Sequence, residues 1–369
     1  MKTRASATAT ALLQVGRATA KGTARHAERF AKRRGDEFYR TVDRTLRVSA
    51  LGLGTYLGEC SESDDTRYEG VARAALERGI NFLDSAINYR CQRSERALGR
   101  AVRAAILSGM IVREEVVLCT KGGYIPLDGH TPPSREEYLA FLEREYYATG
   151  VVSPEEVVGD AHSIAPSFLA DQLRRSRENM GVETLDVYYV HNPEQQLDVI
   201  KPSQFLDRLR EAFAMLESRC DAGDIGRYGC STWNGFRVAR GTRGHLELAE
   251  LVAAARDVGG EDHRFRIMQL PINLAMPEAV RASTQRIRGR EMPLLHAAAE
   301  LGISIVASAS LLQARLATGL PPQMREALPG FATDAQRALS FVAGMPISAA
   351  LVGMRSIAHL DENLGAFGA

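Results

Sequence analysis

Strands buried on both faces, alternating with amphipathic helices, leave a chain few folds to choose from. VVLC (116–119), LDVYYV (185–190) and ISIVA (303–307) are almost continuously apolar, the pattern of parallel strands covered by helices on their outer side. Further short strands are predicted at VSALGLGT (48–55), around Phe82, and over Gly226–Cys230, Phe265–Leu270 and Ile347–Val352. Helical periodicity follows most of them: TRYEGVARAALERG up to a C′ glycine at Gly79, then Ser94–Leu107, Pro166–Met180, Pro202–Cys220, Gly244–Asp257, Met292–Leu301 and Ile357–Ala366. Ser94 is the expected N-cap of its helix. Eight strand–helix units predict a (β/α)8 TIM barrel. A doubly wound sheet should open its first helix with GxGxxG, and only GLGT stands there. Two connections, from Lys121 to His162 and from Asn273 to Glu291, exceed ordinary loop length and are expected to be extended rim loops on the substrate side.

The ends of the strands carry the chemistry. The strand around Phe82 ends in Asp84 and leads to Tyr89, VVLCTK ends in Lys121, and LDVYYVH ends in His191. In a barrel of this kind such residues share one rim. A tyrosine donates a proton near neutral pH when its pKa, ordinarily about 10, is brought down. Lys121 is the expected source of that shift, with Asp84 pairing with Lys121 and His191 bonding the substrate oxygen or relaying a proton. This set suits reduction of a carbonyl, with hydride from a nicotinamide and a proton from Tyr89. Each residue alone has a structural role open to it: a cap, a loop aromatic, a solvated lysine, a core histidine. The coincidence of four at strand ends favours chemistry.

Composition narrows the rest. Hydrophobic content of 45%, charged content of 25% and a net charge of +1 describe a globular protein without a global pull toward nucleic acid or an anionic membrane. No apolar run approaches the ~18 residues of a membrane span. Cys60, Cys91, Cys119, Cys220 and Cys230 show no CxxC spacing and predict reduced thiols in a cytoplasmic protein, without a metal site. The first 35 residues hold nine Lys/Arg against the single acid Glu28. This start is expected to be a basic extension over residues 1–40, partly disordered or helical (Gly22–Arg33), ahead of a barrel domain at 41–369; a transit-peptide role is the other reading.

At the catalytic residues the sequence resembles the aldo-keto reductase family, over roughly Arg47–Phe367. FLDSAINYRCQRSERALGRAV is similar to its second-strand signature, VVLCTKGG and LDVYYVHNPE to its lysine and histidine strands, and IGRYGCST and MQLPINL to its fifth and sixth strands. ISIVASASLL and LVGMRSIAHLDENLGAF resemble the seventh-strand segment and the C-terminal cofactor signature. The resemblance implies a barrel that binds NADP(H) across its C-terminal rim, with Asp84, Tyr89, Lys121 and His191 as a catalytic tetrad. It implies cofactor contacts from Gly54, Thr55, Asp84, Ser231, Gln269, Ser310, Leu311, Gly353, Arg355, Glu362 and Asn363. Three departures stand out. Thr232 occupies the place of the family's usual Asn, Ser308-Ala309-Ser310 replaces an aromatic followed by Ser-Pro, and His359 stands where many members carry an arginine. Arg355 offers a fork for a 2′-phosphate, so NADPH is expected, with NADH possible.

Tyr56, Tyr124 and Trp233 are the expected walls of a pocket for a small-molecule carbonyl or alcohol. The other reading of the whole is a non-catalytic nucleotide-binding barrel acting as a redox sensor or partner subunit, with the basic start as its interaction arm. A metal-dependent hydrolase would need clustered His and Asp at strand ends, which the separated His162 and His191 do not supply. Nothing in the sequence sets the substrate or the oligomeric state.

Overall fold

The computed structural model describes residues 13–367. Eight parallel strands close into a barrel in sequential order: β1 Leu51–Gly54, β2 Phe82–Asp84, β3 Val117–Gly122, β4 Leu185–His191, β5 Ile225–Ser231, β6 Phe265–Pro271, β7 Ser304–Ser308 and β8 Ala349–Gly353, with β8 pairing back to β1. The predicted (β/α)8 architecture is therefore the observed one. Outer helices follow: α1 Glu62–Glu77, α2 Arg93–Leu107, α3 Pro166–Met180, α4 Pro202–Asp221, α5 Leu248–Gly259, α6 Leu294–Leu301, α7 Asp334–Ala343 and α8 Ile357–Leu364. Helix α7 was not legible in the sequence and lies after β7.

The strands bury both faces, as their composition demands. Outward residues such as Leu83, Leu118, Val190 and Leu270 pack under the helices; inward ones, including Phe82, Val117, Cys119, Val187, Tyr189, Ile267 and Val306, fill the lumen. At Gly52 an added Cβ would lie 2.8 Å from a Leu351 methyl and 3.1 Å from the Phe82 ring, so glycine here leaves room for side chains of the two neighbouring strands. The lumen floor is made by a hairpin of which only Val48 and Ser49 fall within the predicted first strand. An antiparallel hairpin, Tyr39–Val42 with Leu46–Ser49, inserts Val42, Leu46 and Val48 among the lumen residues.

The chain before this hairpin is tied to the same end of the barrel. A helix over Ala20–Arg34 is capped by Thr19, and Arg25 and Arg29 bind the buried Glu115 at 2.9 and 3.0 Å. The Ala18 amide donates to Asp186, which also forms a buried pair with Arg113 at 2.8 Å. The first twelve residues, with Lys2 and Arg4, lie outside those described. Among the described residues no helix is long and apolar enough to cross a membrane.

Two local expectations are corrected. Ser94 does not cap α2: the cap is Gln92, in a left-handed conformation, and the Ser94 hydroxyl donates instead to the Thr55 carbonyl at 2.8 Å. Of the two long connections, the first folds over its own small core of Ile125, Leu142, Tyr146, Val152 and Phe168 and brings Tyr124 to the rim cavity. The second forms a short helix, Glu278–Arg281, and a hairpin, Gln285–Ile287 with Arg290–Met292, and lines none of that cavity. Residues 309–314, after β7, take the place expected of it.

Candidate active site

A cavity of about 500 Å³ opens at the C-terminal rim, where strand ends and the loops following them converge. Asp84 and Lys121 meet there because β2 and β3 pair in register, Asp84 opposite Cys119. The Lys121 ammonium, fully buried, donates to Asp84 Oδ1 and, at 2.6 Å, to the Ser85 carbonyl. Gln269 Nε2 donates to Asp84 Oδ2 at 2.9 Å, and Ser231 Oγ donates to Gln269 Oε1 at 3.0 Å. One polar chain therefore runs from β5 through β6 and β2 to β3.

Tyr89 sits beyond Asp84 in a tight turn, its amide donating to the Ala86 carbonyl at 3.0 Å. Its ring centroid is 4.8 Å from Lys121 Nζ and 5.9 Å from the His191 ring, with Tyr56 edge-on at 5.1 Å. Tyr124 covers the other side of His191 at 4.9 Å. The main chain of His191 is held from behind: His162 Nε2 lies 2.7 Å from its carbonyl, and Gln196 Nε2 donates to His162 Nδ1 at 3.0 Å.

Electrostatics assign the protons. Burial alone would lower the Lys121 pKa, but Asp84 and Tyr89 overcome it and hold the ammonium above its usual range. Burial also raises the Asp84 carboxyl, against the pull of Lys121 and Gln269. His191 is driven well down, by burial first and then by the charge of Lys121, so it is neutral. Tyr89 departs from expectation: enclosure raises its phenol, and the Lys121 charge offsets this only in part. Burial outweighs the ion, and Tyr89 keeps its proton at neutral pH, the form a donor needs.

Asp84, Tyr89 and His191 line the cavity, and Lys121 stands behind Asp84. Gly54, Thr55, Ser231, Gln269, Ser310, Leu311 and Gly353 line it too, as do Tyr56, Tyr124 and Trp233. Three proposed cofactor residues do not. Arg355 lies 3.4 Å from Asp64, Glu362 offers its carbonyl to Gln336, and Asn363 is buried in α8. Sequence reasoning missed Asn88 and Asn192. Asn192 is left-handed (φ 46°) and donates to the Tyr124 hydroxyl at 2.8 Å; its signal was an Asn-Pro step directly after a strand. Glu194 gave no such signal, yet its Oε1 accepts the amides of Trp233 at 2.7 Å and Asn234 at 3.0 Å, fixing the loop after β5.

A model of the aldo/keto reductase family matches residues 50–249. The chain belongs to this family. A curated relative, the aldo-keto reductase family 1 member C23-like protein of Equus caballus, is 21% identical over 226 residues, which span 61% of this chain and half the length of that protein. An aldo/keto reductase of Klebsiella pneumoniae, solved with NADP and acetate, superposes with a TM-score of 0.59 at 19% identity over 89% of both chains. The aldo-keto reductase AKR11C1 of Bacillus halodurans gives 0.60 at 17% identity, over 90% of this chain and 91% of its own. The structural likenesses carry its barrel fold.

The rim of this family member fits a polar, extended ligand. Asn88 Oδ1, His191 Nδ1, Thr232 Oγ1 and Ser310 Oγ are buried at the cavity residues without a partner among the described residues, an arrangement suited to hydrogen-bonding groups of a bound ligand. Glycine occupies the facing strand ends at Gly54 and Gly353, where an added Cβ would meet nothing closer than 3.5 Å.

Proposed function

We propose that this aldo/keto reductase reduces an aldehyde or ketone, or oxidises the corresponding alcohol or sugar, with NADPH as cofactor and Tyr89 as general acid. The observation that carries the reading is the Tyr89 ring 4.8 Å from the Lys121 ammonium and 5.9 Å from the His191 ring, with Tyr89 and His191 both lining the cavity. NADPH, when bound, supplies the hydride. Ser231 and Gln269, already bonded to each other, are placed to hold a carboxamide, and the free Thr232 hydroxyl takes the part that an asparagine plays in many relatives. Ser310 and the glycines at 54 and 353 would take the phosphates, and Arg355 would exchange Asp64 for the 2′-phosphate. Two structural relatives were solved with NADP or NADPH, which supports this choice over NADH.

The reacting oxygen belongs between Tyr89 and His191. His191 donates a hydrogen bond from its neutral ring, and Tyr89 passes its proton to that oxygen as negative charge develops there. Lys121 lowers the cost of the resulting phenolate, and Asp84 and the Ser85 carbonyl fix Lys121 in place. Tyr56, Tyr124 and Trp233 form aromatic walls for the substrate's apolar part.

Fluorescence of Trp233, the only tryptophan, tests the reading. NADPH should quench it, and a panel of aldehydes, quinones and keto sugars should then drive NADPH oxidation that Tyr89→Phe abolishes. Binding without turnover on any carbonyl would shift the protein to a nucleotide sensor, and failure to bind NADPH or NADH would overturn the proposal.

A further inference from the structure

Two cysteines 31 positions apart meet beside the cavity. Cys60 lies in the loop from β1 to α1 and Cys91 in the turn after β2, and their sulfurs are 3.0 Å apart. The approach is built in. Arg90, the neighbour of Cys91, donates from Nε to the Glu59 carbonyl at 2.8 Å and from Nη2 to the Ser61 carbonyl at 3.1 Å, so it grips both neighbours of Cys60. The same Nη2 binds Asp65 of α1. Arg90, Cys91 and Gln92 are three consecutive left-handed residues, with φ of 49°, 54° and 67°, and the Gly129 amide donates to the Cys91 carbonyl at 3.0 Å. Cys91 is buried and Cys60 partly exposed. Neither has a part in the chemistry above.

We propose that Cys60 and Cys91 are a redox-active dithiol that closes to a reversible disulfide when it meets a peroxide. A disulfide needs the sulfurs at about 2.05 Å, so from 3.0 Å they must close by only about 1 Å. The order of events follows from access. Cys60 can be reached, whereas burial and the neighbouring Cys60 push the Cys91 thiol up to about 12, so Cys60 attacks first. Its thiolate takes one oxygen of hydrogen peroxide; the O–O bond breaks, the departing hydroxide collects a proton as water, and Cys60 becomes a sulfenic acid. The Cys91 sulfur then attacks the Cys60 sulfur. The S–S bond forms, the S–O bond breaks, and the hydroxide leaves with the Cys91 proton as a second water. Two thiols have lost two electrons, and one peroxide has become two waters. A thiol such as dithiothreitol reverses the step by exchange. The bond joins the loop that carries Tyr56 to the turn that carries Tyr89, whose rings already touch edge to face.

The full chain, reduced and desalted, would be exposed to graded hydrogen peroxide, alkylated, digested and mapped by mass spectrometry. Two of the five free thiols should become protected from alkylation, with the Cys60 and Cys91 peptides joined, and dithiothreitol should restore all five. Cys60→Ser should leave Cys91 alkylatable at the same peroxide concentration. In Cys91→Ser, Cys60 should proceed to sulfinic acid with no cross-link. Retention of all five thiols in the wild type would overturn the proposal, as would Cys60 sulfinic acid beside a free Cys91. The readout is covalent, so it stands apart from whether the protein oxidises NADPH.

Discussion

Lowering the pH from 7 to 5 should cost the fold about 2 kcal/mol through His162 alone. The ring is almost inaccessible, with Nε2 at 2.7 Å from the His191 carbonyl and Nδ1 accepting from Gln196 at 3.0 Å. Both nitrogens are thus committed, one as donor and one as acceptor, and only the neutral ring satisfies both. A proton on Nδ1 would face the Gln196 amide hydrogens. Burial lowers the pKa from 6.5 to about 4, against the pull of the His191 carbonyl. The unfolded chain therefore binds a proton on this ring near pH 6.5, and the folded one only near 4. Across that window the unfolded state holds more protons, so stability is full above it and falls as the pH falls. At 1.36 kcal/mol per pH unit the loss approaches ~3 kcal/mol by pH 4. His26, also lowered to about 4 by burial, adds a similar slope elsewhere, so the comparison must isolate His162. Urea unfolding of the wild type and His162→Gln at pH 7, 6 and 5 does so. The variant should be less stable at pH 7, yet lose roughly 2 kcal/mol less on acidification. Parallel pH dependences would refute the assignment of a neutral, doubly bonded ring.

Tyr89→Phe removes the hydroxyl while the ring keeps its contacts with Tyr56 and His191; carbonyl reduction should fall about 10²–10⁴-fold, with NADPH quenching of Trp233 unchanged. Asp84→Ala strands the ammonium of Lys121, which has no exposure, and should destabilise the barrel by about 3–5 kcal/mol. Adding Lys121→Met to that variant should recover much of the loss, as read from urea midpoints. Gly99→Ala would bring a Cβ to 2.6 Å from the Met180 carbonyl where α2 meets α3. Despite the better helix propensity of alanine, thermal unfolding should show a loss of about 1–3 kcal/mol.

The strands were legible because nearly continuous apolar runs have few other uses, and the four strand-end residues because a barrel collects strand ends on one rim. What escaped the sequence are juxtapositions that no local pattern encodes. The Tyr39–Ser49 hairpin is short and carries Arg40 and Arg47, so it does not announce that Val42, Leu46 and Val48 plug a lumen. Ser94 has the chemistry of a cap, but three left-handed residues before α2 moved the cap to Gln92 and freed the serine for Thr55. Loop length alone pointed to residues 273–291 as a cavity wall, whereas the closure of β7 onto β8 placed 309–314 there. The Tyr89 pKa was misjudged for a related reason: sequence shows the charged neighbour, and only the fold shows how much water is removed.

The precision of the site follows from the register of the barrel. Gly54 pairs with Asp84, His191 with Ser231, and Ser231 with Gln269, so the polar residues occupy neighbouring rungs at the top of the lumen. The rungs beneath carry Phe82, Val117, Tyr189, Ile267 and Val306, and below these sits the hairpin plug. Side chains alternate along a strand, so a slip of one residue in any strand would exchange a polar rim group for a lumen group. Such a slip is opposed by the whole apolar fill, whose burial contributes about 25 cal/mol per Å². The same fill keeps water from the lower side of Lys121 and Asp84, so their attraction acts in a low dielectric and holds the ammonium at one point. A fixed charge beneath a phenol that can release its proton on demand is therefore a consequence of how the barrel packs.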